Sequence, residues 1–568
     1  MPGPTANALR SYLAYKPEAL NFGTSGRRGL VIHLTQLEIY TNVFAEVRYL
    51  QSLQPSEGGI QAGDDFYYAH DLRPSSTKVE NGRGGLCQAV KKALEDANMH
   101  PINLGAIPTP ALTYFALQNG KGSIMVTGSH IPFDRNGYKL NTSKGELLKK
   151  HEQPINNAVS NTREELLNKP YDKSLFDNQG MFRNGLPDIL PAVSEGKTAY
   201  IQRYLDFFEG LTLQGMKLLV YQHSAVGRDL MVELLQMLGA DVTPAGRSET
   251  FVPIDTEAID QDQLNTIQTI CNRTGKTFDA VVSSDGDSDR PLLLAPEGDK
   301  LRFFSGDLLG MIVAEYLRAD AVVVPISTND GIDRGRLAHI TEPKTKIGSP
   351  YVISGMQHAV SKGRHSVCGW EANGGFLTGS NIEHNSKILS ALPTRDAVLP
   401  LLCALFAARN KHFTLPELFT TLPDRFSRAA LIRNFPRPTS MKIMERYSPP
   451  ETIMQEILYE TDETIAFDPN HATLQVTKLH AQQLGQLRQE LHSIFSAEAG
   501  FSSISRINFT DGVRMIFANG DVAHIRPSGN ADELRIYSVS SSQERVDAII
   551  CLGIAEPDGL LRRLERMV

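Results

Sequence analysis

The chain predicts a layered α/β protein: three successive α/β domains with mixed sheets, then a C-terminal α+β domain. Three observations carry that expectation. Short β-branched runs ending beside Gly, Asp or Ser alternate with segments of helical period as far as about residue 430. Two hairpin dipeptides, Asp511-Gly512 and Asn519-Gly520, then mark an antiparallel region. A length of 568 residues exceeds one hydrophobic core and suits about three to five domains.

Taken in order, strands are expected over 66–70, 123–127, 217–222, 278–283, 292–295, 321–326 and 366–369, where apolar runs end in small or polar residues. Helices are expected over 85–97, 226–238, 307–317 and 396–408. Residues 472–498 read as a long amphipathic helix, followed by hairpin strands over 504–509 and 513–517. The polar stretch 169–190 is expected to separate the first two units. The segment 434–450, with Pro436, Pro438, Pro449 and Pro450, is expected to link into the last. These breaks divide the chain at 1–185, 186–305, 306–430 and 431–568.

Composition narrows the function. Hydrophobic residues make up 41% and charged residues 21%, which describes a globular protein. A net charge of −7 argues against a nucleic-acid partner. No stretch is long and apolar enough to act as a signal peptide or to span a membrane. Five scattered cysteines, with no CxxC pair, indicate neither a zinc site nor a disulfide framework, and a reducing cytoplasm is the expected location.

Two loops carry chemistry. Thr127-Gly128-Ser129-His130 follows an apolar run and puts a serine on a tight turn beside a histidine. Ser284-Asp285-Gly286-Asp287-Ser288-Asp289-Arg290 follows another. Asp285, Asp287 and Asp289 alternate, so on an extended segment they share one face and can hold a hard ion such as Mg²⁺. The EF-hand pattern fails, because the glycine falls at the second position and Arg290-Pro291 follow the third aspartate. A serine that can carry phosphate, with a metal to offset its charge, points to phosphoryl transfer. Two further loops fit a sugar phosphate. Glu371 and Asn373, in Cys368-Gly369-Trp370-Glu371-Ala372-Asn373-Gly374-Gly375-Phe376, can bind hydroxyls. Arg526-Pro527-Ser528-Gly529-Asn530 offers a guanidinium, a hydroxyl and backbone N–H groups to a phosphate.

In this order the four loops resemble those of the α-D-phosphohexomutase superfamily: phosphoglucomutases, phosphomannomutases and phosphoglucosamine mutases. The likeness extends to Phe22-Gly23-Thr24-Ser25-Gly26-Arg27-Arg28-Gly29 and to Asp71-Leu72-Arg73-Pro74-Ser75-Ser76, so it spans residues 22–537. The resemblance implies four domains around a central cleft and an isomerase moving phosphate between hexose 6-phosphate and hexose 1-phosphate. It makes Ser129 the phosphoserine, and a metal ligand through its phosphate, beside Asp285, Asp287 and Asp289 on Mg²⁺. It places Arg290, His130 and Lys139 next to the nucleophile, Glu371 and Asn373 on the sugar, and Arg526, Ser528, Gly529 and Asn530 on the non-transferring phosphate. Arg27 is expected to add positive charge. A hexose 1,6-bisphosphate is the implied intermediate and activator, and a small-molecule sugar phosphate the implied partner of a monomer or weak oligomer.

The chain departs from the family pattern at several points. Gly128 and Ile131 stand in a loop that often reads T-A-S-H-N-P. The sugar loop, often G-E-x-S-G-H, here carries Asn373 and Gly375. Ser349, in Lys346-Ile347-Gly348-Ser349, stands where some members carry histidine. The form Ser528-Gly529-Asn530-Ala531-Asp532 is close to a variant of bacterial phosphomannomutases, which puts mannose phosphate first, with glucose and glucosamine phosphates as alternatives. A metal-dependent sugar phosphatase would need no second phosphate clamp, and a non-catalytic sensor would be expected to lose Ser129 or an aspartate.

Overall fold

The computed structural model describes residues 7–23, 26–257, 259–460, 463–529 and 532–568. Among them the chain forms two compact units. One runs up to Val322 and includes Gly348–Leu418; the other comprises Val323–Ile347 and Phe419–Val568.

Among the described residues the first unit contains three larger sheets and two two-stranded ribbons. In the first, the strands run in the order Arg27–Leu30, Arg135–Thr142, Ser123–Val126, Asp65–His70 and His100–Ala106. The last three are mutually parallel and the first two antiparallel to their neighbours, so the sheet is mixed. Its core is closed by the helix Gln36–Ser52, which starts at the side-chain cap of Thr35, and by the helix Leu86–Asp96. The second sheet joins Asp241–Arg247, Lys217–His223 and Ala280–Ser284 in parallel, then Pro291–Glu297 and Lys300–Phe304 antiparallel. The third includes Val367–Trp370, Phe376–Thr378 and Leu392–Asp396. In each sheet the parallel or leading strand delivers a loop at its C-terminal end, where open α/β sheets carry function. The loops after Val126, Ser284 and Trp370 are those singled out in the sequence.

In the second unit one antiparallel sheet runs from Phe426–Arg433 through Glu533–Ser540, Val522–Pro527, Val513–Phe517 and Ile504–Asn508 to Glu456–Tyr459, Thr464–Phe467 and Thr473–Leu474. The helices Lys478–Ile494 and Gln543–Ile554 bury Leu484, Leu487, Leu491, Ile549 and Ile550 in its core. This is the α+β domain that the hairpin signals predicted.

Three expectations change in detail. The strand expected to reach Ile326 keeps its ladder only to Val323; beyond it Pro325 makes an isolated parallel bridge to Thr345, with the Ile326 N–H donating to the Thr345 carbonyl. The expected linker 434–450 folds into the helix Arg437–Arg446, which has Pro438 in its first turn, where a missing N–H is tolerated. The stretch 169–190 wraps the first sheet: Tyr171 stacks on Tyr12, Phe182 on Phe176, and Asn103 donates to the Leu190 carbonyl.

Candidate functional site

Ser129 sits at the tip of the loop after Ser123–Val126, fully buried, with φ of 54°. A left-handed serine is strained and persists only where its surroundings overdetermine it. They do so here. Asp71 accepts from Thr127 Oγ1 (2.7 Å) and the Gly128 N–H (3.3 Å), and Thr127 Oγ1 accepts from the Ser129 N–H (2.7 Å). The Arg73 guanidinium, flat on the Phe251 ring at 3.8 Å, donates to the carbonyls of Ser129 (2.9 Å), Ile131 (2.5 Å), Pro132 (2.8 Å) and Arg135 (3.0 Å). Gly128 is required by that arginine, since a Cβ there would lie 2.6 Å from Arg73 Cζ.

The second sheet brings the aspartates to this serine. Ser129 Oγ donates to Asp285 Oδ2 at 2.8 Å, and His130 Nδ1 is 3.4 Å from the same hydroxyl. Asp285, Asp287 and Asp289 are buried, and each offers an oxygen within 4.8 Å of the others. Lys139, on the strand Arg135–Thr142, donates to Asp287 Oδ2 (2.6 Å) and Asp289 Oδ2 (2.5 Å). Thr109 Oγ1 also donates to Asp287 Oδ2, at 2.6 Å. Arg290 Nε lies 3.6 Å from Asp289 Oδ1.

The charges explain each carboxyl's protonation. Burial, with the charges of Asp287 and Asp289, pushes Asp285 well above the usual carboxylate range. Burial also works against Asp287 and Asp289, but Lys139 holds Asp287 below that range, and Arg395, Lys139 and Arg290 hold Asp289 far below it. Among the described residues Asp287 Oδ1 and Asp289 Oδ1 are buried without a hydrogen-bond partner, the latter with Arg290 Nε 3.6 Å away. Orphaned anionic oxygens are costly unless something cationic meets them. The donor set, all hard carboxylate oxygen, fits a divalent metal such as Mg²⁺.

The third sheet adds the sugar loop. Glu371 and Asn373 are buried just past Trp370. The Asn373 carbonyl accepts from Thr256 Oγ1 (2.8 Å), and its side-chain oxygen accepts from the Gly375 N–H (3.0 Å). Glu371 Oε2 accepts from Arg395 Nη1 at 2.8 Å. In the second unit, Arg526 ends the strand Val522–Pro527, its Nε 3.4 Å from Asp511 Oδ1. Ser528 and Gly529 follow in the turn, with the Ser528 N–H donating to the Glu533 carbonyl and Arg437 Nη1 donating to the carbonyls of Ser528 (3.4 Å) and Gly529 (3.2 Å). Asn530 lies outside the described residues.

Arg27 is not where its charge was expected. Its guanidinium is buried against Glu46 (2.6 Å), Asn156 Oδ1 (2.9 Å) and the Leu20 carbonyl, and covers the Phe22 ring. Its neighbour Arg28 faces the aspartates instead, because successive strand residues point to opposite sides. Burial lowers Arg28 to about 10, with Asp287 and Asp289 opposing and Arg290 and Arg395 adding to the fall. Among the described residues its Nε and Nη2 are buried without a hydrogen-bond partner. The two-residue period of Arg27-Arg28-Gly29-Leu30 was the available signal. Arg73 and Arg395 were also missed as organisers. Arg73 stood within the Asp71–Ser76 motif without a role of its own, and Arg395, after Leu392-Pro393-Thr394, carried no local signal.

The chain matches the phosphoglucomutase/phosphomannomutase α/β/α domain I over residues 19–166 and α/β/α domain III over residues 305–426. It is 34% identical over 540 residues to a phosphomannomutase of Sinorhizobium fredii, covering 94% of this chain and 98% of that one. It is 35% identical over 538 residues to a phosphomannomutase of Salmonella muenchen, covering 95% of each. Its fold is similar to the crystal structure of a phosphoglucomutase/phosphomannomutase family protein from Burkholderia thailandensis, with a TM-score of 0.59 at 16% identity over 96% of this chain and 97% of that one. At 34% and 35% identity to the two phosphomannomutases over nearly the whole of each chain, the protein belongs to the phosphoglucomutase/phosphomannomutase family, within the α-D-phosphohexomutase superfamily of isomerases.

Proposed function

We propose that the protein interconverts hexose 6-phosphate and hexose 1-phosphate through a phosphoserine at Ser129 and a hexose 1,6-bisphosphate, with mannose phosphate the preferred substrate. The observation that carries this reading is the Ser129 hydroxyl 2.8 Å from Asp285, in a buried set of three aspartates, two of whose oxygens have no hydrogen-bond partner among the described residues. A serine so held is presented to a metal-bound phosphate rather than used as a simple turn. Mg²⁺ held by Asp285, Asp287 and Asp289 would supply fixed positive charge against the transferring phosphoryl group.

The chain's own residues supply the rest. Arg73 and Asp71 hold the loop, so Ser129 is fixed before substrate arrives. Lys139, Arg290 and Arg28 surround the aspartates with positive charge that a phosphoryl group can use as it passes between oxygens. The substrate hydroxyl attacks phosphorus, its oxygen bonds to phosphorus, and the bond from phosphorus to Ser129 Oγ breaks. The hydroxyl proton passes to His130, whose Nδ1 lies 3.4 Å from Oγ, while Lys139, an ammonium on Asp287 and Asp289, stabilises the charge that develops. Glu371 and Asn373 take sugar hydroxyls in both orientations of the bisphosphate. Arg526, Ser528, Gly529 and Asn530 take the phosphate that does not transfer. The four-domain division at 1–185, 186–305, 306–430 and 431–568, a cytoplasmic location and a monomeric or weakly associating state belong to the same reading.

Mannose is favoured because both near-full-length relatives named above are phosphomannomutases. A coupled assay on mannose, glucose and glucosamine phosphates, with catalytic bisphosphate present, tests the proposal. The expected result is highest kcat/KM on mannose phosphate, one phosphate on Ser129 by peptide mass, and no turnover by Ser129→Ala. Preference for glucose or glucosamine phosphate would reassign the sugar. Release of free phosphate, or a fully active Ser129→Ala, would overturn the mutase reading.

A further inference from the structure

Arg395 lies between the metal loop and the sugar loop, and the roles proposed above leave it unassigned. It is the penultimate residue of the strand Leu392–Asp396, and its side chain is 2% exposed. Its Nε donates to Asp289 Oδ2 at 3.1 Å and its Nη1 to Glu371 Oε2 at 2.8 Å. One rigid fork therefore holds a carboxylate from each loop. Burial works against its charge, but Asp289, Glu371 and Glu146 outweigh burial.

The surroundings are built for this arginine. Gly375 follows the sugar loop, and a Cβ there would lie 2.5 Å from Arg395 Cδ and 2.6 Å from Cγ, so any side chain would displace the arginine stem. Ser349 Oγ is 3.4 Å from Arg395 Nη1 and donates to Glu146 Oε2 at 2.6 Å, while Thr394 Oγ1 donates to Glu146 Oε1 at 2.6 Å. A larger residue at 349 would enter the same space. Both small residues face Arg395.

We propose that Arg395 is a positioning residue that sets the Glu371 carboxylate for the sugar and ties it to the metal ligand Asp289. This rests on the phosphohexomutase reading. An arginine has two N–H directions fixed at once, which a lysine ammonium does not. Its cation also lies beside the metal carboxylates and opposes a second cation there. Loss of Arg395 therefore acts in opposite senses at the two loops. Glu371 loses its hold and sugar binding weakens, whereas the aspartates lose a competing positive charge and bind metal more tightly. A general loss of packing would weaken both.

The test is calorimetric titration of mannose 1-phosphate, and titration of Mn²⁺ followed by electron paramagnetic resonance, into native protein, Arg395→Gln and Arg395→Lys. Arg395→Gln should bind sugar phosphate about tenfold more weakly and Mn²⁺ about threefold more tightly. Arg395→Lys keeps the charge and loses the fork. It should keep native Mn²⁺ affinity and still lose about tenfold in sugar binding. Sugar affinity unchanged in both variants, or Mn²⁺ and sugar weakened together, would overturn the assignment. If Arg395→Gln does not fold, Arg395→Lys carries the test. Native protein that converts no sugar phosphate would remove the mutase reading, and the Mn²⁺ arm would still decide the role of Arg395.

Discussion

Gly128→Ala is a one-carbon change with a large expected effect. The new Cβ would lie 2.6 Å from Arg73 Cζ and Nε and 2.9 Å from Nη2, about 1 Å inside normal contact. The guanidinium cannot easily retreat. It bonds Asp71 at 3.1 Å, four loop carbonyls at 2.5–3.0 Å, and lies on Phe251. If Arg73 moves, one or two charge-assisted bonds are lost at about 1.5–3 kcal/mol each. If the loop moves instead, overpacking costs about 1–3 kcal/mol and Ser129 shifts from Asp285. The cheaper route sets the cost, about 1–3 kcal/mol of destabilisation. A displacement of about 1 Å at the reacting oxygen also costs on the order of 100-fold in turnover. Thermal melting and turnover measure the two effects. In an Arg73→Gln background the clash is gone, so the alanine should then cost far less, a coupling that a double-mutant cycle reads directly. Native melting and native turnover in Gly128→Ala, or additive effects in the cycle, would refute the account of the loop.

Other expectations follow from the same geometry. Asp287→Asn removes a carboxylate from the triad and should cut turnover by about 100-fold while the apo protein still folds; full activity after chelation would contradict a metal role. Arg526→Ala should weaken binding of both sugar phosphates by about 2–4 kcal/mol, seen as higher KM in both reaction directions, whereas unchanged KM would move the phosphate site elsewhere. His524 should make stability depend on pH. Burial pushes it down to about 3, and its Nε2–H donates to the Asp511 carbonyl at 2.6 Å, so the folded protein keeps it neutral. The unfolded chain takes up a proton below its ordinary pKa and the folded one does not. This contribution is therefore complete above pH 6.5 and is lost as pH falls, by roughly 2 kcal/mol at pH 5. The stability difference between native protein and His524→Gln should shift by that amount between pH 7.5 and 5 in denaturant melts, and a constant difference would show that His524 is charged or exposed.

Much of the architecture was legible in the residues alone, because local rules act locally. Apolar runs ending in Ser129 and Asp285 read as strands delivering loops, and they are. Asp511-Gly512 and Asn519-Gly520 read as hairpin turns, and they join antiparallel strands. The alternation of Asp285, Asp287 and Asp289 predicted a common face on an extended segment; their oxygens do lie within 4.8 Å of one another, but a turn gathers them, with the Ser288 N–H donating to the Asp285 carbonyl and Ser288 at φ 58°. Tertiary structure decided which charges meet across sequence distance. Arg27 and Arg28 are adjacent and equally basic, yet the pleat sends one to Glu46 and the other towards the aspartates. Ser129 and Asp285 stand 156 positions apart, and no local pattern states a 2.8 Å contact. Arg395 read as an ordinary residue before a helix. Its role emerges only where three sheets bring Asp289, Glu371 and Gly375 around one guanidinium, because a long-range ion pair is set by packing and leaves no period in the chain.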